Sequence, residues 1–316
     1  MTFGWSSRRR ATGRTPFRTA FGTRGAAPTA ARQEAPGGAP NLSARSTGKG
    51  GSGLDDARAT FERDGVALFP EAVVPAAVLA GACEGMDALM RGEYGTGVPP
   101  EASPWHPGDD PHKLVKIEMP QVADRRIHAL VSHPALGRLA ARLTGARMVQ
   151  VWWVQMLVKP PEDPGGASPH VGWHQDRQYW GAWEEGSQLF TAWVACSDVT
   201  AAAGPVRHVR GSHRWGLLGQ GNFDTADADR QKEGLRLPPG VEWREIEAIL
   251  PPGGVSFHDQ LTLHGSTANR SGLPRRSFAI HLRTERSRPV GLRRDGLTRH
   301  IDDETYCPVI HRAVES

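Results

Sequence analysis

Trp173-His174-Gln175-Asp176 is the stretch on which the fold turns. Residues i and i+2 of an extended strand point to the same side, so both His174 and Asp176 can reach one ion if this stretch is extended. A third ligand must then come from another strand. Leu261-Thr262-Leu263-His264-Gly265-Ser266 supplies it: alternation there is imperfect, but the length and the bounding Gly265 suit a strand end. A loop from Ala268 to Pro274 follows, carrying Asn269, Ser271, Gly272 and Pro274, and Arg275 then opens the run Arg276-Ser277-Phe278-Ala279-Ile280-His281-Leu282. A hairpin of that length returns Arg275 close to His264.

Outward from this motif the chain reads as strands after a helical start. Leu54 to Arg63 predicts a helix ending at Asp64-Gly65, and Val66 to Phe69 a first strand. Pro75 opens a second helix with Val78, Leu79, Cys83, Met86, Leu89 and Met90 at helical spacing. A third, His133 to Thr144, carries Leu136, Leu139, Ala140 and Leu143 on one face and stops at Gly145. Strands follow at Val149 to Val158, Leu189 to Val199, Val206 to Val209, Gly254 to Phe257 and Ser277 to Leu282. Successive short strands with the helices set apart predict a sandwich or barrel covered by helices on one side.

Two imidazoles and one carboxylate on one face of an ion leave the opposite positions open. Non-haem Fe(II) oxygenases use that arrangement to admit a cosubstrate and dioxygen. Arg275 adds a planar, permanently charged fork that holds a carboxylate bidentately.

Trp173-His174-Gln175-Asp176, Gly211-Ser212-His213 and His264-Gly265-Ser266 with Arg275 together resemble the phytanoyl-CoA dioxygenase family, and the resemblance runs from about Phe61 to Leu282. It implies a mainly β fold with flanking helices around a double-stranded β-helix, a jelly-roll, cupin-like core. It implies an Fe(II)- and 2-oxoglutarate-dependent dioxygenase, with iron on His174, Asp176 and His264 and the distal carboxylate of 2-oxoglutarate on Arg275. It also places Lys116, Met156, Gln175, Trp193 and Ser266 in contact with the cosubstrate. Asp176 fills the position that related halogenases leave open, which points to hydroxylation. The chain departs from the family pattern at Ala203-Gly204 and at Arg210, both expected near the pocket mouth and so bearing on substrate identity.

Other residues have competing readings. His258 has no carboxylate two residues away and reads as a core or hydrogen-bonded histidine; His213 belongs to a turn. Trp152, Trp153, Trp173, Tyr179, Trp180, Trp183 and Trp193 crowd the motif. Alternation places one of Trp152 and Trp153 inward, and Tyr179, Trp180 or Trp183 can wall an apolar substrate pocket. Arg177 either meets a substrate carboxylate or faces solvent. The Pro- and Gly-rich loop from Lys159 to Val171 is either a lid or a plain surface excursion, and the charged loop from Leu217 to Val241 borders the pocket.

A length of 316 residues suffices for one large β domain, here residues 54–316. Residues 1–53 hold nine basic residues against Glu34 alone and lack hydrophobic periodicity, so they are expected to be disordered. They read as a transit peptide or, preferred because no amphipathic helix is evident, as a tail or a misassigned start. The rest of the chain is net acidic and offers no footprint for nucleic acid. No apolar run approaches a membrane span. Cys83, Cys196 and Cys307 form no C-x-x-C pair, which indicates neither a disulfide framework nor a zinc site and makes a reducing cytoplasm the default. The expected partner is a small hydrophobic substrate. Two rivals stay open: a cupin-like metal enzyme that does not use 2-oxoglutarate, and a non-catalytic binding protein on the same scaffold.

Overall fold

Twelve residues, Met148-Val-Gln-Val-Trp-Trp-Val-Gln-Met-Leu-Val-Lys159, form the longest strand of a computed structural model that describes residues 52–163, 165, 169–225, 227–291 and 296–314. The expected disorder of the N-terminal segment lies outside the described residues, except at Ser52 and Gly53, where the first helix already begins.

In chain order the elements are α1 Ser52–Asp64, β1 Val66–Phe69, α2 Ala76–Met90, β2 Val115–Glu118, α3 Arg125–Val131, α4 Pro134–Thr144, β3 Met148–Lys159, β4 Val171–His174, β5 Leu189–Ala195, β6 Val206–Val209, α5 Ala228–Gly234, β7 Glu245–Glu247, β8 Val255–Asp259, β9 His264–Ser266, β10 Arg275–Thr284 and β11 Val309–Arg312. A seven-stranded sheet runs β1-β8-β5-β10-β3-β11 with β2 also on β3, and a four-stranded sheet runs β4-β9-β6-β7. Every ladder is antiparallel. This is the jelly-roll that the resemblance implies.

Alternation in the large sheet sorts its two faces. Val151, Val154, Met156 and Val158 of β3 join Phe257, Phe278 and Ile280 in the main core, against Leu79, Met86 and Leu89 of α2, Ile127 and Leu130 of α3, and Leu136 and Leu143 of α4. The helices therefore cover one face, as expected. The local signals are plain for α4: His133 caps through Nδ1 to Ala135 N, Pro134 occupies the first turn, and Gly145 ends the helix at φ 64°. The short α3 was not expected; Asp124 starts it by accepting from the backbone N–H groups of Arg126 and Ile127.

Strict alternation fails at one place. The β3–β10 register passes from His281↔Trp153 to Leu282↔Val151, which leaves Trp152 as a bulge. Trp152 and Trp153 consequently share one cluster with Trp180 and Trp183, whereas alternation would have set the two on opposite faces.

Candidate active site

The register β4–β9 sets His174 directly opposite His264, with ring centroids 4.2 Å apart. In each ring Nδ1 lies within hydrogen-bond reach of the backbone carbonyl two residues upstream, Gly172 at 2.7 Å and Thr262 at 2.9 Å. A carbonyl only accepts, so each Nδ1 carries the proton and each Nε2 keeps a free lone pair. Both Nε2 atoms face Oδ1 of Asp176, at 3.8 Å from His174 and 3.7 Å from His264. The three ligand atoms lie within 4.8 Å of one another, and all three residues are buried. Three lone-pair donors converging on one point, with the tautomers locked from behind, fit a divalent transition metal.

The motif is not wholly strand. β4 ends at His174; Gln175 stays extended at φ −112° and ψ 129°, and Asp176 starts a 3-10 turn to Tyr179. The extended link preserves the same-side relation of His174 and Asp176 after the ladder has ended.

A second set of buried groups holds Asp176. Its Oδ2 accepts from Thr191 Oγ1 at 2.8 Å and lies 3.3 Å from Nε2 of His258, and Thr191 in turn lies 2.9 Å from Nδ1 of His281. His258 continues to Nε2 of His208 at 3.4 Å. Burial alone would raise the Asp176 pKa, yet His264 and His258 outweigh it and hold the carboxyl well below its usual range. Burial pushes the histidines the other way: His264 and His208 sit well below the ordinary imidazole value, and His281 falls to about 4. The expectation that His258 is a hydrogen-bonded histidine is met, and its partner is Asp176, one of the three candidate ligands.

Arg275, at the start of β10, is 3% exposed. It donates to the carbonyl of Gly204, its guanidinium lies 5.3 Å from the Trp193 ring centroid, and its Nε has no partner. Burial lowers its pKa to about 10, which leaves it charged at neutral pH. Arg275, Trp193 and Ser266 line the same cavity of about 50 Å³ as His174, Asp176 and His264. Directly across the β3–β10 ladder stands Lys159, fully buried. Sequence reasoning passed over it, since a lysine ending a strand ordinarily reads as a solvent-facing charge.

Three expected contacts lie elsewhere. Met156 points into the helix-side core, because alternation gives the cavity to its neighbours Gln155 and Leu157. Gln175 faces away from the cavity and brackets two loops, donating to the carbonyls of Gly216 and Leu261 and accepting from Leu218 N. Lys116 lies outside the inner cavity, in an outer chamber of about 470 Å³, where it pairs with Glu118 at 3.1 Å. Trp153, Tyr179, Trp180, Phe223, Glu118, Gln155, Asp224 and Leu297 also line that chamber, which shares His174, Asp176 and His281 with the cavity behind it. The loop from Leu217 to Val241 thus borders the pocket through Phe223 and Asp224. Arg177, half-buried, ties the carbonyls of Trp180 and Trp183. Arg210 pairs with Asp64 at 2.8 Å in a separate surface cleft, so that departure from the family pattern does not touch the mouth. Ala203 is buried, and Gly204 serves Arg275.

The sequence profile of the family described as Phytanoyl-CoA dioxygenase (PhyH) matches residues 61–277. The chain is 28% identical over 132 residues to a probable phytanoyl-CoA dioxygenase of Caenorhabditis elegans, covering 40% of each protein. It is 29% identical over 175 residues to an ectoine dioxygenase of Bordetella parapertussis, covering 50% of this chain and 54% of that one. The matched stretch spans about half or less of these relatives. Among solved structures, the epimerase SnoN in complex with Fe3+, alpha ketoglutarate and nogalamycin RO superposes with a TM-score of 0.59 at 24% identity, over 76% of this chain and 88% of that one. EvdO2 from Micromonospora carbonacea complexed with 2-oxoglutarate gives 0.54 at 21%, over 75% and 93%. At such identities the likeness is one of fold, the double-stranded β-helix.

Proposed function

Since the chain belongs to the phytanoyl-CoA dioxygenase family, we propose that it is an Fe(II)- and 2-oxoglutarate-dependent dioxygenase that hydroxylates an unactivated C–H bond of a small, largely hydrophobic metabolite. One observation carries the reading: an open His/Asp/His set and a buried guanidinium without a carboxylate partner share one cavity.

His174, Asp176 and His264 would hold the metal. Arg275, with Ser266, would take the distal carboxylate of 2-oxoglutarate, and the Trp193 ring would wall that end of the cavity. When bound, Fe(II), 2-oxoglutarate and dioxygen supply the oxidising power, with succinate and carbon dioxide as co-products. The protein's own part is to bind, orient and exclude water. Asp176, pinned on Oδ2, would present Oδ1 to the metal, and the aromatic walls would keep the reacting region dry.

The outer chamber supports the substrate class. Trp153, Tyr179, Trp180 and Phe223 favour a bulky apolar body, and Gln155, Glu118 and Lys116 favour a polar group on it. Lys116 is the one Lys or Arg among the described lining residues, set against Glu118 and Asp224, which disfavours the phosphates of an acyl-CoA. SnoN and the carbocyclase SnoK, of similar fold, are both from nogalamycin biosynthesis, which agrees with a natural-product substrate.

The test is an anaerobic titration of the metal-free protein with Fe(II) and 2-oxoglutarate, following the visible charge-transfer band of the chelate. The band should form in the parent, weaken in Arg275→Ala and vanish in His174→Ala. Bound iron without a band would favour a metal enzyme that does not use 2-oxoglutarate, and no iron binding would favour a non-catalytic scaffold.

A further inference from the structure

Lys159 ends β3 with no exposed surface. Its Nζ stands 2.6 Å from Ser266 Oγ and 2.6 Å from the carbonyl oxygen of Thr267. Across the ladder lies Arg275. The polar partners these two side chains have among the described residues are oxygens of neutral groups: Ser266, Thr267 and Gly204. Burial first, and then the repulsive charges of Arg275 and Arg207, hold the Lys159 pKa well below the ordinary lysine value. A buried guanidinium beside a buried amine, with no anion between them, is a costly arrangement that an incoming carboxylate relieves.

Lys159 does not itself line the cavity, whereas Ser266 does. A lysine nitrogen that donates to Ser266 Oγ occupies the acceptor side of that hydroxyl and turns its proton elsewhere. The open direction is the cavity, into which Arg275 also reaches. Resting on the 2-oxoglutarate reading, we propose that Lys159 is a positioning residue for the cosubstrate's distal carboxylate, acting through Ser266, whose hydroxyl it orients as a donor. The site thereby selects a 2-oxo dicarboxylate over a 2-oxo monocarboxylate of the same length.

The experiment compares dissociation constants of 2-oxoglutarate and of 2-oxopentanoate, which has a methyl group in place of the distal carboxylate. Both are measured anaerobically on the full chain loaded with Fe(II), for the parent, Lys159→Met, Ser266→Ala and the double variant. Lys159→Met should weaken 2-oxoglutarate about ten- to a hundredfold, the range for groups that orient a contacting residue. It should leave 2-oxopentanoate within about twofold, and it should add little in the Ser266→Ala background. A purely structural lysine would weaken both ligands together; that result, or unchanged 2-oxoglutarate binding, overturns the proposal. So do effects that multiply in the double variant, since Lys159 would then act without Ser266. If Lys159→Met does not fold, Ser266→Ala alone must show the same selective loss for the proposal to stand. A parent that binds iron but not 2-oxoglutarate overturns the cosubstrate reading itself, an outcome distinct from an insensitive Lys159 variant.

Discussion

The hydroxyl of Thr191 donates to Oδ2 of Asp176 at 2.8 Å, so that only Oδ1 of the carboxylate faces the two imidazoles. Thr191 and His258 are partners in the β5–β8 register, and both reach the same oxygen from one side. Thr191→Val keeps the side-chain shape and removes the donor. Fe(II) affinity should fall about ten- to a hundredfold, as for other groups that orient a metal ligand, while Thr191→Ser retains most of it. Metal titrations of the two variants decide the matter, and parent-like affinity in Thr191→Val would show that the carboxylate needs no such support.

Gly172 carries the carbonyl that fixes His174, and a Cβ there would lie 1.9 Å from the carbonyl oxygen of Asn222. Gly172→Ala must therefore push the Asn222 loop off β4. The expected cost is roughly 1–3 kcal/mol, the range for overpacking, together with weaker iron binding. Gly181, where a Cβ meets nothing within 4 Å, is the control: Gly181→Ala should leave melting temperature and iron affinity near the parent's.

The sequence carries the His174–Asp176 pair and the sheet because both are local signals. His174 and Asp176 sit two residues apart, and β3 is an apolar run bounded by a turn-rich loop. α2 and α4 announce themselves by apolar spacing with a Pro start and, for α4, a Gly stop. What escaped depends on pairing between distant segments. Lys159 gains meaning only from its register with Arg275, and His258 only from a fold that lays β8 beside β5. The bulge at Trp152 rests on a slip against β10, which no single strand reveals. Met156 was misplaced for a different reason: family position was carried over where alternation in this chain gives the cavity to Gln155 and Leu157.

Asp259, the last residue of β8, has its carboxyl raised to about 6, chiefly by burial, against the Leu261 N–H that it accepts at 2.8 Å. Between the ordinary carboxylate value of 3.8 and about 6 the folded state binds more protons than the unfolded one. Stability from this group is thus present at low pH and lost as pH rises through that window. Asp259→Asn keeps an acceptor for Leu261 and removes the half-buried charge. It should raise stability by about 1–3 kcal/mol at pH 7, with the gain fading below pH ~4. Urea unfolding of both proteins at the two pH values measures this, and a gain independent of pH would refute the assignment to Asp259.

Phe223 stands between the two halves of the pocket. Its ring meets the His174 ring edge to face at 5.2 Å, Lys116 Nζ lies 5.0 Å from its centroid, and it lines both the inner cavity and the outer chamber. It is the apolar side chain common to both, so it separates the metal region from the wider opening. Phe223→Ala should join the two spaces and let water reach the metal region. Cosubstrate affinity should change little, since Arg275, Ser266 and Trp193 are untouched. Succinate formation in the absence of any substrate should rise several-fold, because a dry, closed site suppresses unproductive turnover. Once a substrate is known, its KM should rise about tenfold or more, as expected on losing a large apolar contact of ~1.5–3 kcal/mol. Phe223→Leu should stay closer to the parent on both counts. Substrate-free succinate formation is measurable at once by mass spectrometry, and no increase in Phe223→Ala would mean that the partition lies elsewhere in the chamber wall.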